Sequence, residues 1–260
     1  LIPSQPAGRV GHGEVAPLLH KLLGAPARVR LLLARSLLGL LLADMGSIVN
    51  EFFCTGLFKG VLNGAILLSI HLDYADHTFK VILATVWLLV VFLAFPTGTH
   101  LNCTITAAAV TTGDLGFMRG LGNIAAQLAG VAVAMTTVRA LAPDHLHRHV
   151  GPPSPADGDV AWGFALEVLF TFTNVIAAFG CEDIWGPDFK AVGTASIVVL
   201  EIILSGASMD PSGAFAGAFF TGELLHHWEI YYGAAMLGGV LAGLTWRVIR
   251  PAAAEKAKAE

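Results

Sequence analysis

Apolar residues run in long blocks along the chain: Ser47 to Leu72, Phe79 to Phe95, Phe117 to Leu141, Ala161 to Phe179, Phe189 to Leu204 and Ile230 to Ile249. A bilayer crossing takes roughly 20 apolar residues, so the pattern predicts six transmembrane helices. Two further apolar stretches, Cys103 to Val110 and Pro211 to Phe220, are 8 and 10 residues long, with turn residues before them and glycine within or just after them. Neither is long enough to cross. Short hydrophobic segments at matching places in two halves predict half-helices that dip into the membrane and line a site at its midplane. The linker Ala142 to Val160 carries Pro143, Pro152, Pro153 and Pro155, which ends helices and separates two halves of three spans each. Before the first span, Leu31 to Ala43 is a 13-residue run interrupted by Arg35, and reads as an interfacial helix, with the core of a signal sequence or the lead-in to the first span as alternatives. The expected organisation is a tail (1–46), a first repeat (47–141), the linker (142–160), a second repeat (161–249) and a short C-terminal tail (250–260).

Composition narrows the class. Hydrophobic residues make up 55% of the 260 and charged residues 13%, against roughly 25% in soluble domains, so the chain reads as an all-α integral membrane protein. The net charge of −4 and the lack of a basic run exclude a nucleic-acid partner. Cys54, Cys103 and Cys181 have no C-x-x-C spacing, and His145, His147 and His149 sit in the Pro-rich linker, so neither a metal nor another cofactor is expected. The spans lack the nucleophile, base or metal constellation of an intramembrane enzyme. With both termini on one side, eleven Lys and Arg lie on that side and three on the other, so the positive-inside rule makes it cytoplasmic. Gly56, Gly60 and Gly64, and again Gly239 and Gly243, recur at every fourth position, a spacing that lets membrane helices approach closely.

The halves also repeat in detail. Gly98-Thr99-His100-Leu101-Asn102-Cys103-Thr104 aligns without gaps on Gly206-Ala207-Ser208-Met209-Asp210-Pro211-Ser212, and Glu51-x-x-x-Thr55 on Glu167-x-x-x-Thr171. The copies lie 108 and 116 residues apart, which indicates one duplicated unit. Glu51 and Thr55, like Glu167 and Thr171, share a helical face, and a carboxylate in the membrane calls for donors such as the free N–H groups of a re-entrant turn. All four are expected to anchor those turns. Asn102 and Asp210 stand where N-caps belong, and Pro211 suits the first helical position. Two half-helix N-termini meeting at midplane would concentrate positive potential and repel cations, the electrostatics of a pore.

These residues resemble the aquaporin, or major intrinsic protein, family over Ser47 to Ile249. Its members carry two Asn-Pro-Ala motifs, and the matching sites read Asn102-Cys103-Thr104 and Asp210-Pro211-Ser212. The flanking Gly-x-His-Leu-Asn and Gly-Ala-Ser-Met-Asp, together with His227-Trp228, Tyr232-Gly233 and Gly238-Gly239, also resemble the family, while the decayed motifs are similar to its unorthodox branch, the superaquaporins. The resemblance implies an aquaporin-like fold of six transmembrane helices plus two re-entrant half-helices in two inverted three-helix repeats, assembled as a homotetramer in the lipid bilayer of the plasma membrane or endoplasmic reticulum. It implies passage of water or a small neutral solute, with His100 as a pore-lining candidate. Water-selective members place an Arg after the second motif, opposed by aromatic and His side chains. Counted without gaps, the filter positions here are Ile82, Val198, Ala207 and Gly213, a wide apolar filter open to glycerol, urea or hydrogen peroxide. A protein that keeps the fold but serves a structural or junctional role is the alternative.

Overall fold

The computed structural model describes residues 27–155, 158–205 and 208–250, and their regular structure is helical. The chain divides into residues 1–46 and 47–260. Of the first unit, residues 27–46 are described, and they are the helical beginning of α1 (Ala27–His71), which includes the run 31–43. Most of the two terminal tails therefore lies outside the described residues.

In the second unit α1 is followed by α2 (Thr78–Thr97), α3 (Cys103–Thr112), α4 (Phe117–Leu141), α5 (Val160–Trp185), α6 (Pro187–Ser205), α7 (Pro211–Thr221) and α8 (Ala235–Ile249), the last preceded by a π-helical turn at Glu229–Ala234. Met45–His71, Phe117–Leu141, Val160–Trp185 and Glu229–Ile249 are long and apolar enough to span a bilayer. The other two long helices, α2 and α6, have 20 and 19 residues and rise about 30 Å, the thickness of a hydrocarbon core. α3 and α7, with 10 and 11 residues, reach about half that depth. Three crossings per half turn the second half over relative to the first, giving two inverted repeats of three spans and one half-helix.

Both half-helices are built alike. Asn102 and Asp210 are extended N-caps whose side chains accept from the backbone N–H two residues on, and Gly113 and Gly222 end the helices in left-handed conformations (φ 89° and 88°). Each half-helix then packs against the last helix of the opposite half, α3 on α8 and α7 on α4. Two small cores result. Ile105, Ala108 and Ala109 of α3 meet Val175, Ala178, Phe179 and Ala242. Ala216 and Phe220 of α7 meet Leu67, Val131 and Met135, joined by Leu146 and Val150 from the linker. The Pro-rich linker is thus tied down, with a 3₁₀ turn over Asp144–His149 and His147 packed edge-on against Phe220.

Glycines set the close crossings, in register with the repeat. A Cβ on Gly130 would collide with the carbonyl oxygen of Phe52, and one on Gly238 would lie 2.6 Å from that of Val168. These pairs are separated by the same 108 and 116 residues as the motifs. Gly239 and Gly243 likewise seat α8 on the backbone of α3, at Thr104 and Ala108.

A Cβ on Gly56 would lie 2.7 Å from the Gly130 carbonyl oxygen, whereas one on Gly64 meets nothing within 4 Å. Gly56→Ala is therefore expected to destabilise the protein by about 1–3 kcal/mol through overpacking. Gly64→Ala is expected to be neutral or to gain up to about 1 kcal/mol from helix propensity. Thermal unfolding of the two variants in detergent checks the contrast.

Candidate functional site

The chain before each half-helix turns back on itself through a residue with positive φ, Leu101 (58°) and Met209 (53°), at equivalent positions of the repeat. In each copy the N–H groups of this residue and of the one before it converge on one carboxylate. His100 and Leu101 donate to the carboxylate of Glu51 at 2.7 and 3.2 Å. Ser208 donates to Glu167 at 3.0 Å, and Met209 donates to its other oxygen. Gln127 adds a third bond to Glu51, at 2.8 Å. Both carboxylates are 1% exposed. Thr55 and Thr171 behave differently: their hydroxyls are buried and find no hydrogen-bond partner among the described residues. They do not bond the turns, and Thr171 instead packs against the Gly238 crossing, where a branched side chain fills the helix contact.

The two N-termini meet and cap each other. Asn102 accepts at Oδ1 from the N–H and hydroxyl of Thr104, and its amide donates across the repeat to the Met209 carbonyl at 3.0 Å. In return the Cys103 N–H donates to Asp210 at 3.3 Å, and Asp210 also accepts from the N–H and hydroxyl of Ser212. Cys103 is fully buried at the start of α3, and Pro211 holds the matching first position of α7.

His100 faces a cavity of about 180 Å³ shared with Val90, Ala94, Thr99, Lys190 and Thr194, and its Nδ1 lies 2.9 Å from the Thr106 hydroxyl. Of the four filter positions, Ile82 and Val198 pack into one apolar cluster around Phe58, Val86, Val90 and Ala195. Ala207 lies outside the described residues. Gly213 does not border a purely apolar surface: a Cβ there would stand 3.2 Å from the Lys59 Nζ and 3.4 Å from the Ser208 Oγ. As a charge inside the first span, Lys59 is a functional candidate that could snorkel or pair with another helix, but spacing does not name its partner, since Asp210 lies in the other half. Its signal was a charge two turns beyond Glu51, on the same face of α1. Glu201, a further buried charge within α6, accepts from Thr173 and Asn174 and ties α6 to α5.

The far ends of the half-helices are held by arginines from the opposing last helices. Arg139 of α4 donates to the Phe220 carbonyl at 2.6 Å, near the end of α7. Arg250, just after α8, pairs with Asp114 beyond α3 and with Asp183 of α5.

Two half-helices entering an inverted repeat of six spans from opposite sides, N-terminus to N-terminus, define a membrane-channel fold. The chain belongs to the family described as Major intrinsic protein, which matches residues 42–246. It is similar to Aquaporin C of Dictyostelium discoideum, 31% identical over 161 residues that cover 58% of each chain. It is also similar to Aquaporin-6 of Rattus norvegicus, 28% identical over 226 residues, covering 81% of this chain and 79% of that one. A solved aquaglyceroporin from Plasmodium falciparum shares the fold, with a TM-score of 0.66 and 16% identity over 82% of this chain and 99% of that one. The chain spans about 60% of the length of several curated relatives it matches.

Glu167→Gln keeps one acceptor but turns an amide N–H₂ toward the N–H groups of Ser208 and Met209. Hydrogen bonds to a charged group are worth about 1.5–3 kcal/mol each, so the variant is expected to lose folded yield and thermal stability. Size-exclusion yield and unfolding temperature in detergent check it; a Glu167→Gln protein of normal stability that selects different solutes would contradict an anchoring role.

Proposed function

We propose that this chain is a passive transmembrane channel for water and small uncharged solutes such as glycerol, urea and hydrogen peroxide. The observation that carries the reading is the junction of α3 and α7, where Asn102 and Asp210 cap their own helices and reach across to the opposite half. A fixed pair of half-helix N-termini offers oriented dipoles to a solute passing one at a time, and no chemical step is required. The assembly we propose is the homotetramer of the family. α1 leaves Val49, Phe53, Leu57 and Val61 exposed along one face, apolar surface suited to lipid or a neighbouring subunit. Both termini are assigned to the cytoplasmic side of the plasma membrane or endoplasmic reticulum, on the Lys and Arg bias of the loops.

Stopped-flow light scattering on proteoliposomes tests the reading. Water and glycerol flux above that of empty vesicles is expected, with glycerol flux reduced several-fold in Gly213→Leu, whose side chain would fill space beside the flexible end of Lys59. Background flux from correctly folded protein would instead favour a structural or junctional role for the fold.

A further inference from the structure

Asp210 brings a carboxylate to the point where both half-helix N-termini converge. Each N-terminus carries roughly half a positive charge, so one carboxylate there offsets the pair and removes the barrier to cations. Lys59 answers that charge. Its Nζ lies 2.7 Å from Asp210 Oδ2, with the two side chains 8% and 6% exposed, and 4.4 Å from the centre of the Phe58 ring. Gly213 makes the room: its missing side chain leaves the ammonium a place beside the second half-helix, next to Ser208. Asp210 meanwhile keeps its other bonds, to the N–H groups of Cys103 and Ser212 and the hydroxyl of Ser212, so the ion pair is added to the cap and does not replace it.

We infer that Lys59 is the residue that sets charge selectivity: its ammonium, reaching across from the first span, restores the cation barrier that Asp210 would abolish. An ammonium has three N–H donors and Asp210 takes one, which leaves donors for the oxygen of a neutral solute. This inference rests on the channel reading and names the group that makes such a channel tight to cations.

The test measures neutral flux by light scattering, and sodium and chloride flux by ion-sensitive dyes, on the same proteoliposomes. Lys59→Met leaves Asp210 uncompensated and is expected to raise sodium flux at least about tenfold over the unmodified protein. Asp210→Asn keeps the capping oxygen and removes the anion, and is expected to stay tight to sodium while chloride flux rises several-fold. Lys59→Met combined with Asp210→Asn is expected to abolish the sodium leak. A Lys59→Met channel that passes neutral solute and remains sodium-tight overturns the inference and leaves the channel reading standing. Absence of neutral flux in the unmodified protein refutes the channel reading, and the inference with it. If Lys59→Met does not fold, Asp210→Asn decides: raised chloride flux supports the inference and unchanged chloride flux overturns it.

Discussion

Four backbone N–H groups, those of His100, Leu101, Ser208 and Met209, depend on two buried carboxylates. At membrane depth an unpaired backbone donor costs several kcal/mol, and irregular chain is tolerated only where protein satisfies it. Glu51 and Glu167 do so, each taking two successive N–H groups. The geometry has its own cost, because Leu101 and Met209 must be left-handed, at roughly 1–2 kcal/mol each for a side-chain-bearing residue. The charge-assisted bonds made by the same turns are stronger than that strain, and without them each buried carboxylate would lose two of its donors.

From those anchors the rest of the junction follows. With its entrance turn fixed, each half-helix can lie on the last helix of the other half, at glycines that admit backbone contact, and be tied at its far end by Arg139 or Arg250. Neither half can form its half-helix site alone: the first supplies the turn for α3 and the seat for α7, and the second does the reverse. The fusion of the halves is physical as well as genetic, because Asn102 and Asp210 exchange bonds across the centre.

Much of this was legible in the sequence because it rests on local pattern. α4 spans the block Phe117 to Leu141, and α3 and α7 begin at Cys103 and Pro211, where an Asn or Asp cap precedes an apolar run. The duplicated Glu-x-x-x-Thr drew attention to both carboxylates, but helical spacing says only which residues share a face, not which atoms bond. Hence it grouped Thr55 and Thr171 with the glutamates, although their hydroxyls meet no partner among the described residues. Contacts between distant segments were not readable: Lys59 with Asp210, the linker residues Leu146 and Val150 in the core, and Lys59 beside Gly213, a position that read as apolar from its own residue.

Amide hydrogen exchange of the protein in lipid nanodiscs, resolved to single residues, tests the central claim most directly. If Glu51 and Glu167 hold the two turns, the amides of His100, Leu101, Ser208 and Met209 exchange as slowly as those of the flanking helices, although they belong to no regular element. Fast, loop-like exchange at these four amides, with the helices still protected, would contradict the account.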